Sequence, residues 1–210
     1  YKRQTLAGVF ISAPARLANP PSNWDALLAA PCQGLVGMND PSISGPTYPM
    51  LAGMLDHAGG WPQGQAYVLA LQANGLHMFD ANGATLAALK AQAISLAIVQ
   101  SSAAIYFAAH NPGYRITVPS PAYVLPSVMV EAKGVSAAKR KEIARFLAFA
   151  MRPDIQKLRQ DKGGSDGNFW PITTGAPALS GLNLVTLDPV RWGKLETTVN
   201  SWFAQMMSAR

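Results

Sequence analysis

Cysteine is nearly absent: Cys32 stands alone in 210 residues. No internal disulfide can form, so a disulfide scaffold is excluded, while cytosol and periplasm both remain open. Histidine is almost as scarce. His57, His77 and His110 stand singly, without a second ligand at metal-binding spacing, which argues against a zinc site. No apolar run reaches the roughly 18 residues that a membrane span needs. The nearest stretch, residues 91–109, is interrupted by Gln92, Ser95, Gln100, Ser101 and Ser102. Neither a Walker loop nor a dinucleotide fingerprint is present. The chain opens YKRQTLAG, with no initiator Met and no charged-then-apolar leader, and we expect a signal peptide to have been removed or to lie outside it.

Positive charge is missing from a long stretch. Residues 17–89 hold no Lys or Arg but carry Asp25, Asp40, Asp56 and Asp80. The net charge of +6 is concentrated in residues 133–162, where Lys133, Lys139, Arg140, Lys141, Arg145, Arg152, Lys157, Arg159 and Lys162 face only Glu142, Asp154 and Asp161. Ile143, Phe146, Leu147 and Ala150 share one face of a helix in this block, which leaves the basic residues to a solvated face. A nucleic-acid groove would need aromatic stacking partners there, and no nucleic-acid partner is expected.

What is present is a core-forming composition, 49% hydrophobic. Apolar runs at 7–12, 35–38, 94–99, 114–118 and 127–131 predict strands. Helical periodicity or capping predicts helices over 24–29 (Asn23 as cap), 47–57, 61–71, 84–91, 102–109, 136–151, 153–160 and 189–207. The last has Asp188 as its cap and Trp192, Leu195, Val199, Trp202 and Met206 on its inner face. Strands alternating with helices indicate an α/β fold with a mixed sheet flanked by helices.

Two strand ends are polar and uncharged. The first runs through Asn39, Asp40, Pro41, Ser42, Ile43, Ser44 and Gly45 into a helix beginning near Thr47. The second is Gln100-Ser101-Ser102, after the run LAIV. Helix N-termini offer backbone N–H groups and the positive end of a dipole, and open α/β sheets place ligands outside the carboxyl ends of their strands. Ser42, Ser44, Gly45, Thr47, Gln100, Ser101 and Ser102 are therefore candidate ligand contacts, with Asn82 and Thr85 at a third helix start. The blander role for Ser44 is a helix cap. GGSDG at 163–167 satisfies the nucleophile-elbow pattern around Ser165, but LRQDK precedes it where a buried strand is required, so a serine hydrolase is the weaker reading.

Three pieces carry a family resemblance: NPPSNWDALLAAPCQGLVGMNDPSISG, then AQAISLAIVQSSAAIYFAAHNPG, then VLPSVMVEAKGVSAAKRKEIARFLAFAMRPDIQ. In order and spacing the chain resembles the solute-binding proteins of bacterial ABC importers, in the type II group of ferric, polyamine, thiamine and phosphorylated-sugar binders. The resemblance implies a periplasmic, two-lobed clamshell that closes on one small solute and delivers it to a permease in the inner membrane, without catalysis or cofactor. It also implies a division into a crossover segment at 1–11, a second lobe at 12–118, a return segment of the first lobe at 119–185 and a closing helix at 186–210. Most of the first lobe is then expected to come from elsewhere, including from a separate chain. Ferric-binding relatives place adjacent tyrosines after the second strand, where this chain has Ser101, Ser102 and Ala103, so iron is disfavoured. A polyamine site, with Asp40 and Trp170 as its best candidates, is the other cationic alternative. The expected solute is small and anionic, including phosphorylated molecules. Ser165 and Asp166 are expected to reach the cleft from the return segment.

Overall fold

The computed structural model describes residues 3–162 and 181–208. Two sheets organise them. β2 (Val9–Ser12), β3 (Val36–Asn39), β4 (His77–Phe79), β5 (Leu96–Val99) and β6 (Arg115–Thr117) form a five-stranded sheet in the order β4-β3-β5-β2-β6. β3 runs parallel to β4 and β5, whereas β2 is antiparallel to β5 and β6. β1 (Arg3–Leu6), β7 (Ala122–Ser127) and β8 (Leu184–Val185) make a second sheet, ordered β1-β7-β8. The chain passes from one sheet to the other through Ala7 and Gly8 and returns between β6 and β7.

Alternation along the strands gives the larger sheet two apolar faces. Phe10, Met38, Leu96 and Ile98 join one buried cluster with Trp24 and with residues of α1 (Thr47–His57), α2 (Gln65–Ala73) and α7 (Pro189–Ser208). Val9, Ile11, Ala97 and Val99 join another with Leu86 and Leu89 of α3 (Asn82–Lys90) and Ala103 of α4 (Ser101–His110). With both faces covered, β5 reads in sequence as an unbroken apolar run. Trp24 links the two sheets: fully buried, it donates from Nε1 to the Pro121 carbonyl at 2.8 Å and meets Phe10 edge-on at 5.2 Å.

Several local expectations are met by specific contacts. Asp188 Oδ1 accepts from the backbone N–H groups of Val190 and Arg191, capping α7, and Trp192, Val199 and Met206 are buried together with Phe203. Asn23 Oδ1 accepts from the Ala26 N–H, although the segment it opens is a short 3-10 helix, Asp25–Leu28. Ser136 caps α5 (Ala137–Ala150) by accepting from the Lys139 N–H.

Other expectations are corrected. The helix expected from Trp61 starts at Gln65. Residues 61–64 form a turn closed by Gly64 N–H to the Gly60 carbonyl at 2.6 Å. A Cβ at Gly64 would lie 2.4 Å from the Leu55 carbonyl oxygen, so α2 can meet α1 this closely only through glycine. The strand expected over 127–131 is instead β7. Pro121 precedes it and Pro126 lies within it, where Pro126 lacks a ladder donor and pairs only with Gln4 of β1. Val128, Met129 and Val130 beyond it are exposed. β1, β4 and β8, at four residues or fewer, were not anticipated.

α5 buries none of its residues, and Phe146 and Phe149 are 62% and 49% exposed. It packs on α6 (Pro153–Lys162), whose charges pair locally, as in Lys157 with Asp161 at 3.1 Å. Among the described residues, no helix is long and apolar enough to cross a membrane, and no cluster of His, Cys, Asp and Glu could hold a metal ion.

Candidate functional site

Because β4, β3 and β5 are parallel neighbours, their carboxyl ends lie along one edge of the sheet, and each feeds a helix: α3, α1 and α4 respectively. The loops singled out in the sequence therefore converge by topology. Their side chains divide into two groups, one holding the edge together and one lining open space.

The holding group centres on Asn39, the last residue of β3 and 2% exposed. Its Nδ2 donates to Asn82 Oδ1 at 2.7 Å and to Ser44 Oγ at 3.4 Å, while its Oδ1 accepts from the Thr85 hydroxyl at 2.5 Å. Asn82, Ser44 and Thr85 thus fix the spacing of the β3 and β4 loops. Ser44 is not a side-chain cap for α1: its carbonyl accepts from the Thr47 N–H, and no side chain caps that helix. Thr47 and Ser102 are buried. Ser101 is buried too, and its hydroxyl accepts from the Leu6 N–H at 2.9 Å, anchoring α4 to β1. Ser42 is exposed, with its N–H and hydroxyl both donating to Asp40 Oδ1.

The open group is smaller. Gly45 and Gln100, one from each strand-end loop, line a shared cavity of about 400 Å³ together with Thr5, Pro46, Leu125, Pro126, Ser127 and Arg159. Gln100 Nε2 donates to Thr5 Oγ1 at 3.1 Å, and the Thr5 hydroxyl donates to the Leu125 carbonyl, so both side chains are oriented before any ligand arrives. Arg159, from α6, is the only formally charged residue among the described residues lining it. The cavity is large enough for a small organic molecule, and its described lining residues carry neutral donors, one guanidinium and no carboxylate.

Thr5, Asn39 and Arg159 were missed from the sequence. Asn39 could have been found, as a polar residue closing a buried strand. Thr5 and Arg159 reach the cavity from distant parts of the chain, and nothing local sets Arg159 apart from the other basic residues of its block. Ser165 and Asp166 lie outside the described residues, as does Trp170. Tyr106, the nearest tyrosine to the iron-ligand positions, is 40% exposed and stacks on His110 at 4.3 Å.

The family model for bacterial extracellular solute-binding protein matches residues 3–163. The chain belongs to that family. Among solved structures, the chain is similar to the substrate-binding protein of an ABC transporter from Agrobacterium tumefaciens, at 16% identity and TM-score 0.67 over 95% of this chain and 65% of that one. It is similar to iron-bound HitA from Pseudomonas aeruginosa, at 15% identity and TM-score 0.71 over 95% of this chain and 67% of that one. It is also similar to the periplasmic binding protein AfuA from Actinobacillus pleuropneumoniae with exogenous fructose-6-phosphate bound, at 16% identity and TM-score 0.72 over 98% of this chain and 67% of that one. No curated protein matches. The chain thus spans about two thirds of the length of these structures, and at such identities the likeness is one of fold. That fold is the type II periplasmic binding protein, and nothing in the comparisons supports a hydrolase.

Proposed function

We propose that the protein is the periplasmic solute-binding component of a bacterial ABC importer. It captures a small anionic organic solute, phosphorylated solutes included, at the carboxyl ends of β3 and β5 and presents it to an inner-membrane permease. The observation that carries this reading is the cavity where Gly45 and Gln100 meet: two polar strand-end loops share one opening, and among its described lining residues there is no carboxylate or phenol. A ferric ion or a polyamine would enter this cavity with no opposing charge among those residues and with a guanidinium already present, an arrangement that costs binding energy. Solutes with oxyanions or hydroxyls match neutral N–H and amide donors at a helix start.

In this reading residues 1–11 are the crossover, 12–118 form one lobe, 119–185 return to the other and 186–210 close the fold. The rest of the first lobe is supplied by further polypeptide, in the same chain or in a separate one. The two-thirds coverage of the solved structures supports that division, as does the exposed apolar face of α5.

The test is isothermal titration calorimetry with fructose 6-phosphate, citrate, inorganic phosphate, ferric ion and spermidine. Saturable heat from at least one of the anions, and none from the two cations, is the expected result. Binding of ferric ion or spermidine alone would overturn the anionic assignment and leave a cation binder of the same fold.

A further inference from the structure

We propose that Gln100 is a specificity-determining residue that reads a hydroxyl group on the solute, and that Thr5 is the residue that positions it. The solute is then an anion that also carries a hydroxyl. The inference deepens the solute-binding reading above and rests on it.

A glutamine amide presents N–H donors at one end and a carbonyl acceptor at the other, and a half turn exchanges what it recognises. Here the fold fixes the choice. Thr5, in β1, is 1% exposed, and its hydroxyl donates to the carbonyl of Leu125, its cross-strand partner in β7. A hydroxyl has a single proton to give. With that proton committed to Leu125, Thr5 Oγ1 can only accept, and Gln100 turns its Nε2 toward it at 3.1 Å. The reverse orientation would set the Gln100 carbonyl against Thr5 and draw the hydroxyl proton away from Leu125. The main chain on both sides of this contact is held as well, because Ser101 Oγ accepts from the Leu6 N–H at 2.9 Å.

Gln100 Oε1 is the group that remains for the opening. Among the described residues it has no hydrogen-bond partner, yet it is not one of the buried unpaired oxygens, which are Ser12 Oγ, Ser95 Oγ and Asn200 Oδ1. It is therefore open to solvent, on a residue that lines the cavity. A carbonyl oxygen repels the oxygens of a carboxylate or phosphate and accepts from an O–H or N–H. The anionic group of the solute lies elsewhere in the cavity, and a hydroxyl of the same molecule meets Gln100.

Isothermal titration calorimetry with matched anions tests the proposal: citrate against tricarballylate, and glycerol 3-phosphate against propyl phosphate, each pair differing only in hydroxyl groups. The wild type is expected to bind the hydroxylated member of at least one pair about 10-fold more tightly, the scale of one neutral hydrogen bond. Gln100→Met, of similar length but without the amide, should bring that ratio close to one. Thr5→Val should do the same with Gln100 intact, because the freed amide can turn its N–H groups to the cavity. Thr5→Ser keeps the hydroxyl and should keep the preference. The melting temperature of each unliganded variant reports folding separately, and a purely structural Thr5 would move that temperature and leave the ratio unchanged. If the wild type binds none of the four anions, the anionic-solute reading fails and this inference with it. If it binds anions without preferring the hydroxylated member, or if folded Gln100→Met or Thr5→Val keeps the preference, this inference is overturned and the solute reading stands.

Discussion

Asn39 donates its side-chain amide to Asn82 Oδ1 at 2.7 Å, tying the last residue of β3 to the first residue of α3. The same amide group accepts from Thr85 of α3 and donates to Ser44 Oγ at 3.4 Å in the loop after β3, so one buried residue serves two loops at once. Replacing it by alanine leaves Asn82 without this donor and the Thr85 hydroxyl with only the Ala81 carbonyl. Asn39→Ala is expected to lower the unfolding free energy by about 1–3 kcal/mol, the cost of leaving buried polar groups unpaired. Urea denaturation checks it, and a change within about 0.5 kcal/mol, typical of surface positions, would mean that the hub is not structural.

Trp24 offers a harsher test of the link between the two sheets. Its ring is fully buried against Phe10 and Tyr123, and its Nε1 donates to Pro121. Trp24→Ala is expected to cost about 3–5 kcal/mol. Trp24→Phe keeps most of the apolar volume and should cost less, so the order of the two variants in chemical denaturation is itself a check.

Much of this core could be read from the chain. The LAIV run, the α7 face from Trp192 to Met206 and the strand-end loops before α1 and α4 all announce themselves by local period or capping. What escaped notice lacks a local signal. β4 is three residues of partly exposed edge strand, β8 is two, and β7 is masked by one proline just before it and another within it. The site shows the same division. Gly45 and Gln100 follow from the rule that ligands gather at carboxyl strand ends. Thr5 and Arg159 depend on which distant elements the fold brings opposite, which no periodicity encodes.

Alkaline pH should destabilise the protein through its interior phenols. Burial, with a smaller contribution from Glu196, pushes Tyr48 up to about 12 from an ordinary 10.0. Tyr67 and Tyr123 are raised further by burial, aided by Asp25 and Asp56 respectively. Above the ordinary value the unfolded chain loses phenolic protons that the folded chain keeps, so stability falls as pH rises through the folded values. Below pH 10 this contribution is fully present. Phenolate absorbance from these three residues should appear only together with loss of the folded circular dichroism signal. Complete ionisation of every tyrosine in a chain that stays folded would contradict the burial assigned to them.

The exposed apolar side chains of α5 give a prediction of the opposite kind. Phe146→Ser together with Phe149→Ser should leave stability within about 0.5 kcal/mol per site, as for other surface positions. The pair should also reduce binding of a hydrophobic dye, since 62% and 49% of these two residues is open to solvent. A loss of several kcal/mol would show that α5 is packed against something in the isolated protein.

A small anion is the proposed occupant of the cavity between Gly45 and Gln100. The most direct test of that assignment is a two-dimensional amide NMR titration of the protein with fructose 6-phosphate and citrate. Saturable shifts should be largest at the Gly45 and Gln100 amides and small at the surface of α3 remote from the cavity. Shifts confined to the basic face of α5, or growing linearly without saturation at Gly45 and Gln100, would contradict it.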